Sequence, residues 1–323
     1  MLIVTTRPSE FMQTNPNCKS VVAILLCTFN GAEYLRDQLD SFIAQSHQHW
    51  VIYASDDGST DGTLDILSEY QSVLGDKLVI LNGPRRGFAR NFISLIQNPS
   101  VVGDYFAFSD QDDIWMKHKL VRGLTALQSA SCALPALYCS RTRLIDASGK
   151  DLGFSPAWSR RASFRNALVQ SLAGANTMLI NQRTRELLCL TPSEARIVAH
   201  DWLTYLIVSG YKGVIVFDPV PTLFYRQHAG NLIGSNAGLR RRLKRQINAW
   251  RGHFSDWNEM NLIILQRHKS SLDRENRRLL ECFELARKSP LLKRLRLLAE
   301  AGVYRQTLAG NLRLFVAAVL NKI

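Results

Sequence analysis

Hydrophobic positions in the first half of the chain alternate between compact runs and helical spacing. The runs have the pattern of strands buried on both faces, and between them apolar residues recur on one helical face. This βαβαβαβ alternation predicts a mostly parallel sheet with right-handed crossovers, flanked by helices. The predicted strands are residues 21–27, 50–55, 77–81 and 104–109, and the predicted helices include residues 32–45 and 88–96.

The pattern changes along the second half. Further strands are predicted at residues 137–144, 177–181, 213–217 and 222–226, with a short helix at 200–209. Beyond Gly238 no strand is predicted, and apolar residues recur at helical spacing among arginines. We therefore expect three parts, divided near Gly238: an N-terminal tail at 1–19, an α/β domain at 20–237 and a helical, basic C-terminal region at 238–323.

Two acidic clusters follow predicted strands. Asp110-Gln111-Asp112-Asp113 comes after the run 105–108, and Asp56-Asp57-Gly58 comes after the run 51–54. Parallel strands end at one edge of a sheet, where open α/β sheets bind ligands. Carboxylates this close repel unless a cation lies among them, and hard oxygen ligands suit Mg²⁺ or Mn²⁺. A solvated turn or a helix N-cap would give the same local pattern.

Smaller polar signals lie beside these clusters. Thr28-Phe29-Asn30-Gly31 ends the first strand and offers backbone N–H groups to a nucleotide. Ser59 or Thr60, together with Asp61, is expected to cap the second helix. Neither the G-x-x-x-x-G-K-[ST] phosphate loop nor the G-x-G-x-x-G fingerprint occurs, so ATPase and dehydrogenase functions are not favoured.

Charge separates the two halves of the chain. The formal net charge is +13, and residues 238–323 carry 19 Lys and Arg against 7 Asp and Glu. Residues 1–237 are nearly neutral, with 21 basic and 20 acidic side chains. A basic segment of this kind suits nucleic acid, anionic lipid or an acidic substrate.

Cysteine usage and apolar run lengths indicate the compartment. The six cysteines show neither a C-x-x-C pair nor metal-finger spacing, as expected of reduced core thiols. Residues 1–17 lack the long apolar core of a signal peptide, and the apolar runs are too short to span a membrane. We expect a cytoplasmic protein.

The three motifs together resemble those of the family-two inverting glycosyltransferases. Within that family, the sequence resembles bacterial rhamnosyltransferases of surface-polysaccharide and lipopolysaccharide assembly. The resemblance covers roughly residues 20 to 235. The matching segments are residues 22–31, residues 55–61 and Ser109-Asp110-Gln111-Asp112-Asp113-Ile114-Trp115. The resemblance implies the GT-A nucleotide-diphospho-sugar transferase fold, a nucleotide-sugar donor and a Mg²⁺ or Mn²⁺ cofactor.

The same resemblance implies roles for individual residues. Asp56 or Asp57 would contact the nucleobase, with Thr28 and Asn30 also at the donor. Asp110 and Asp112 would form the D-x-D pair, with Asp112 holding the metal on the donor diphosphate and the extra Asp113 leaving the assignment open by one position. Arg90, in the segment 85–91, would approach the phosphates.

Two further segments match the family. Asp201, in His200-Asp201-Trp202, occupies the position of the catalytic base, although helix capping would also explain it. Arg226 and His228 resemble the segment that closes over the diphosphate, and His228 would serve as a metal ligand or phosphate donor.

Two other functions remain open from the residues alone. A sugar nucleotidyltransferase would also use carboxylates and a metal, but it should carry a Gly- and Arg-rich phosphate loop after the first strand. A nucleic-acid-binding protein would use the basic region, yet stacking aromatics are not interleaved there and a carboxylate-lined cleft repels phosphate.

The expected partners therefore follow the transferase interpretation. They are a nucleotide-sugar donor, a glycan or lipid-linked glycan acceptor, and an anionic membrane surface contacted by the C-terminal region at the inner face of the cell membrane. Nucleic acid is not expected.

Overall fold

A computed structural model describes residues 19–228 and 254–323 of the chain. The expected N-terminal tail, the boundary at Gly238 and the basic stretch 240–251 therefore lie largely or wholly outside the described residues. In the described part, no helix is long and apolar enough to cross a membrane.

A seven-stranded sheet forms the centre of the molecule. Its order is β10-β6-β9-β4-β1-β2-β3, and the expected β/α alternation of the first half is confirmed. All seven residues of β1 are buried, which explains its nearly continuous apolar sequence. The strands of this sheet are β1 (Val22–Thr28), β2 (Trp50–Asp56), β3 (Leu78–Asn82), β4 (Tyr105–Ser109), β6 (Ala136–Ser140), β9 (Leu179–Asn181) and β10 (Val214–Asp218).

A second sheet of four strands lies beside the first. It comprises β5 (Ile114–Trp115), β7 (Arg143–Asp146), β8 (Asp151–Phe154) and β11 (Leu223–Gln227), in the order β5-β11-β7-β8. The sequence did not predict this sheet. Its strands are short, and the pairing of β11 with both β5 and β7 joins segments far apart along the chain.

One local expectation was wrong, and two others are confirmed in whole or in part. The single strand expected at 137–144 is two strands, β6 and β7, because the chain leaves the central sheet after Ser140 and joins the small one. The central sheet is mostly parallel, as expected, and strand β9 is the member that runs antiparallel to both of its neighbours. The helix after β2 begins at Thr63 with Gly62 as its N-cap residue. The Asp61 side chain accepts the Thr63 N–H (3.0 Å), as expected, whereas Ser59 bonds to Asp56 and does not cap the helix.

Helices cover both faces of the central sheet. Those of the first part are α1 (Leu35–Ile43), α2 (Thr63–Leu74), α3 (Phe88–Gln97), α4 (Lys119–Leu127), α5 (Phe164–Ala167), α6 (Gln182–Cys189) and α7 (His200–Gly210). The C-terminal part contributes α8 (Phe254–His268), α9 (Arg274–Arg287), α10 (Leu291–Ala301) and α11 (Leu308–Val319). The helical character expected for this region is thus observed in its described residues.

The C-terminal helices share a hydrophobic core with the central sheet. Leu265 and Phe283 belong to the same buried cluster as Leu25 of β1 and Phe106 of β4. The Asn276 side-chain amide donates to the carbonyl oxygens at the end of α7. Some of the basic residues are also internal: buried Arg294 donates to the carbonyl oxygens of Ala318 and Ser289.

Candidate active site

The motifs selected from the sequence meet at the carboxyl edge of the central sheet. Strand β1 pairs in parallel with β2 on one side and β4 on the other, so Thr28 lies opposite Asp56 and Leu26 opposite Ser109. The chain order reverses here, since β2 and β3 extend from one side of β1 and β4 lies on the other. Such a switch point opens a crevice in which α/β sheets bind ligands.

Asp56 organises the turn after β2. Its Oδ2 accepts hydrogen bonds from the Thr28 hydroxyl (2.8 Å) and the Ser59 hydroxyl (2.6 Å). Its Oδ1 accepts from the backbone N–H groups of Gly58 (3.0 Å) and Ser59 (2.7 Å). Four bonds fill the acceptor sites of a carboxylate, so buried Asp56 and Thr28 fix the turn from inside the protein.

Asp57 bonds to the loop that contains Arg85 and Gly87, and its carboxylate can accept further hydrogen bonds. Its two oxygens each accept one backbone N–H, from Arg85 (2.6 Å) and from Gly87 (2.9 Å). Arg85 and Gly87 both adopt positive φ, at 55° and 84°, and Asp57 holds this strained loop against the turn. Of the two aspartates expected at the nucleobase, only Asp57 keeps lone pairs for a ligand.

Asn30 and Gln111 connect the loops above the sheet edge. Asn30, at φ 48°, accepts the N–H of Thr60 on its side-chain oxygen (2.8 Å). The Gln111 side chain forms two hydrogen bonds with the backbone of Phe29. Its oxygen accepts from the Phe29 N–H (2.8 Å), and its amide nitrogen donates to the Phe29 carbonyl oxygen (3.0 Å). Sequence reasoning did not assign a role to Gln111, although its place inside the acidic motif was visible.

The three carboxylates of the acidic loop enter different surroundings. Asp113 is fully buried and accepts from the Asn176 side chain (2.6 Å) and the Arg226 backbone N–H (3.2 Å). Asp112 is partly exposed, and its Oδ2 lies 2.7 Å from His228 Nε2. Burial, helped by the charges of Asp112 and Asp201, raises the pKa of Asp110 to about 7.

Strand pairing explains why His228 reaches the acidic loop. Strand β5 follows directly after Asp113 and pairs antiparallel with β11, which places Ile114 opposite Phe224. Beyond the Phe224–Ile114 pair, the end of β11 lies beside the acidic loop, where Arg226 contacts Asp113 and His228 contacts Asp112. Two segments more than a hundred residues apart thereby meet, and the tilted ring of Tyr34 lies 4.8 Å from the His228 ring.

Arg226 forms hydrogen bonds with three other segments of the protein in this structure. Its guanidinium donates to the Asp112 carbonyl oxygen (3.1 Å), to the Ala147 carbonyl oxygen (3.2 Å) and to Asp37 Oδ2 (2.7 Å). It also lies over the ring of Tyr34, 4.7 Å from the centroid. The side chain is buried and ties α1, the acidic loop and the small sheet together.

Lys119 is a buried cation behind the acidic loop that the sequence did not single out. Its Nζ donates to the Asn176 carbonyl oxygen (2.7 Å) and lies 4.6 Å from the centroid of the Trp115 ring. Burial lowers the pKa of Lys119 to about 7, opposed by the carboxylates of Asp113 and Asp110. It therefore supplies part of the positive charge that the clustered carboxylates require.

Asp201 lies in the first turn of α7 and belongs to the same electrostatic cluster. Its Oδ1 accepts the N–H of Trp202 (2.7 Å) and its Oδ2 accepts from the Ser171 hydroxyl (3.3 Å). Burial raises the pKa of Asp201 to about 6. The neighbouring His200 is different: it is buried and stacks on Phe92 with ring centroids 3.9 Å apart.

The structure places Arg90 beside the loop that precedes α7. Its guanidinium donates to the Pro192 carbonyl oxygen (3.1 Å), and Arg86 donates to the carbonyl oxygen of Ser193 (3.1 Å). Both arginines therefore hold residues 192–193, which lead to Asp201. Neither is seen in a contact with the acidic loop.

The residues at the sheet edge fit a divalent cation. Asp110 and Asp112 supply hard oxygen ligands, and the pKa of Asp110 is raised mainly by burial and further by the charges of Asp112 and Asp201. Within residues 19–228 and 254–323, no three His, Cys, Asp or Glu side chains converge into a complete metal cage. That arrangement suits Mg²⁺ or Mn²⁺, which proteins hold through one or two carboxylates together with substrate phosphates.

Comparisons with known sequences identify the family. Residues 23–168 match the family described as Glycosyl transferase family 2. The dTDP-rhamnosyl transferase RfbG of Shigella flexneri is 30% identical over 231 residues, which cover 68% of this chain and 77% of the relative. The putative teichuronic acid biosynthesis glycosyltransferase TuaG of Bacillus subtilis is 28% identical, covering 68% of this chain and 84% of the relative.

Solved structures share the fold. TarS 1-349 of S. aureus superimposes with a TM-score of 0.52 at 12% identity, covering 93% of this chain and 90% of that one. The mannosyltransferase PcManGT from Pyrobaculum calidifontis, in complex with GDP-Man and Mn²⁺, gives 0.52 at 14% identity, covering 97% and 90%. The chain therefore belongs to glycosyltransferase family 2 and is a glycosyltransferase with the GT-A fold, as its sequence motifs implied.

Proposed function

We propose that the protein transfers a sugar, with inversion at the anomeric carbon, from a nucleotide-diphosphate donor to a glycan or lipid-linked glycan acceptor. The observation that carries this proposal is the placement of Asp201. Its carboxylate lies close enough to Asp110 for its charge to raise the pKa of that group. The proposed base, in the first turn of α7, is thus within electrostatic range of the carboxylates expected at the donor diphosphate.

The residues support a single displacement. The acceptor hydroxyl oxygen attacks the anomeric carbon and forms the new glycosidic bond while the bond to the diphosphate oxygen breaks. The hydroxyl proton passes to Asp201, whose partly buried carboxylate with a pKa of about 6 is ionised at neutral pH yet basic enough to accept it. The electron pair of the broken bond leaves with the nucleoside diphosphate.

Asp112 and Asp110 would hold the divalent cation, and His228, whose Nε2 lies 2.7 Å from Asp112 Oδ2, is a further candidate ligand. When bound, the cation would neutralise charge developing on the leaving diphosphate. Asp57 keeps free acceptor capacity for a nucleobase N–H, while Asp56, Thr28 and Asn30 hold the loops in place. In this structure Arg226 and Arg90 act on the protein itself, so any role at the donor would require them to move.

The names of the relatives guide the choice of substrate. We propose a deoxyhexosyl donor, with rhamnose first, because the relative RfbG is named a dTDP-rhamnosyl transferase. Teichuronic acid synthesis, named for TuaG, supports a role in surface-polysaccharide assembly. The five cysteines in the described residues are all free, which supports a reducing, cytoplasmic setting.

The test is release of nucleoside diphosphate from a panel of nucleotide sugars, with Mn²⁺ or Mg²⁺ and with excess EDTA. We expect metal-dependent turnover, and an Asp112→Asn variant at least about 10²-fold slower, equivalent to a few kcal/mol of barrier. Asp76→Asn, which neutralises an exposed carboxylate remote from the site, is the matched control. Full turnover in EDTA would contradict the metal role, and a product that retains the donor's anomeric configuration by NMR would contradict the displacement.

A further inference from the structure

Helix α11 has two apolar faces, and among the described residues only one of them packs against the protein. Gly310, Leu314 and Ala318 are buried against the other C-terminal helices. Leu308, Leu312, Phe315 and Val319 are instead 84%, 65%, 55% and 38% exposed. We name these four side chains the α11 stripe.

The α11 stripe is continuous along the helix. Its members are separated by four, three and four residues, a spacing that places them one above another on one side. Polar residues are absent from this line, since Asn311 and Arg313 fall to either side of it. Single exposed apolar residues are ordinary on protein surfaces, but an aligned group of large ones marks an interaction surface.

The positive charge around the stripe indicates which kind of surface it would bind. Residues 301–323 contain no Asp or Glu, and exposed Arg313 lies beside the stripe. On the preceding helix, exposed Lys293 adds a further cation, and the acidic Glu300 is paired with Arg296 at 3.0 Å. The stripe is therefore apolar with cationic flanks. A second copy of the same face would bring these cations against one another, which disfavours self-association.

We propose that the α11 stripe docks on an anionic lipid surface, with Leu308, Leu312 and Phe315 entering the headgroup–acyl boundary and Arg313 beside the lipid phosphates. This is the geometry of interfacial amphipathic helices, in which apolar side chains insert and flanking cations add electrostatic attraction. The docking surface stands on its own observations; its purpose, to bring the transfer site to a lipid-linked acceptor, rests on the proposed function.

Helices α8 to α11 share a core with the catalytic sheet. Removing them would therefore disturb folding, and a loss of vesicle binding could not be assigned to the stripe. Point variants on the exposed stripe avoid this problem. We choose the double variant Leu312→Ser/Phe315→Ser, because both side chains are mostly outside the core. Val73→Ser/Val102→Ser is the matched control, since these two apolar side chains are 79% and 62% exposed elsewhere on the surface.

The measurement is flotation of full-length protein with phosphatidylcholine vesicles and with vesicles that also contain phosphatidylglycerol. The wild type and the valine control should float with the anionic vesicles, and the stripe variant should show at least about a tenfold lower bound fraction. Binding should weaken between about 0.1 M and about 1 M sodium chloride, as the Debye length falls from about 10 Å to about 3 Å. Equal flotation of all three proteins would overturn the proposal.

Two parallel measurements separate the remaining outcomes. Nucleoside diphosphate release in solution should be the same in the wild type and both variants, because the stripe is not part of the transfer site. Vesicle binding through the stripe without any release would refute the proposed function and leave docking in place. A wild type that ignores vesicles but is a dimer by light scattering, with a monomeric stripe variant, would show that the stripe is a self-interface and overturn docking.

Discussion

Replacing Asp201 with asparagine should stabilise the folded protein while it abolishes transfer. Burial raises the pKa of Asp201 to about 6, whereas an unfolded chain has an Asp pKa of about 3.9. Between these values the folded state binds the additional proton, so stability falls as the pH rises from about 4 to about 6. Above the folded pKa the whole cost of ionising the buried carboxyl is present.

The size of the effect follows from the two pKa values. At about 1.36 kcal/mol per pKa unit, ionising Asp201 in the folded protein costs up to about 3 kcal/mol at neutral pH. Asparagine is neutral and nearly isosteric, and its side-chain oxygen can still accept the Trp202 N–H. We therefore expect Asp201→Asn to raise the free energy of unfolding by up to about 3 kcal/mol at pH ~8, with a difference that vanishes near pH ~4.

Urea unfolding at both pH values measures the difference. A control is Asp218→Asn, which neutralises a buried carboxylate that is paired with Arg122 at 2.7 Å and bonded to the Tyr138 hydroxyl at 2.8 Å. That variant should lose about 1.5–3 kcal/mol, because charged hydrogen bonds are weakened. An Asp201→Asn protein no more stable than wild type at the higher pH would refute the reasoning about burial.

Activity gives an independent readout of the same variant. Loss of the proton acceptor should reduce turnover by about 10²- to 10⁴-fold, the usual contribution of a general base. Donor binding should persist, since the substituted side chain is proposed to act on the acceptor. Near-normal transfer by Asp201→Asn would remove Asp201 from the mechanism, whatever its stability.

Two other outcomes are expected. With metal and acceptor saturating, kcat/KM should rise with pH through about 6 as Asp201 loses its proton; a limb near pH ~4, the value of an ordinary carboxyl, would contradict the raised pKa. Gly31→Ala should cost about 1–3 kcal/mol in urea unfolding, because the added Cβ overlaps the Gln111 side chain that grips Phe29. The double variant Gly31→Ala/Gln111→Ala should cost no more than Gln111→Ala alone, and additive costs would show that the overlap is not the cause.

Sequence reasoning could bring the candidate residues to one sheet edge because their signals were local. The acidic clusters directly follow apolar runs, and parallel strands bring their ends together, so Asp56 and Asp110 could be assigned to one sheet edge from order alone. The same reasoning could not decide which of Asp56 and Asp57 is available to a ligand. Which of the two turns inward depends on Thr28, which lies on the adjacent strand and bonds to Asp56.

The features that were missed depend on distant partners. Strand β11 was predicted at residues 222–226, but the small sheet also requires its pairing with β5 and β7, which lie far away along the chain and leave no local signal. Lys119 begins a helix like many surface lysines, and only packing against Asn176 and Trp115 makes it internal. The basic C-terminal region shows the same limit, because buried Arg294 and exposed Arg313 look alike in sequence.

The shared core has a consequence for biosynthesis. The face of α7 and the sheet that receives Leu265, Phe283 and Leu298 remains uncovered until α8 to α11 have left the ribosome. At about 5–20 residues per second, the segment 254–323 takes about 4–14 s to synthesise. During that interval the nascent transferase exposes a broad apolar surface, which is the kind of surface that chaperones bind. The apolar face of the catalytic sheet is therefore covered only after these helices have been translated.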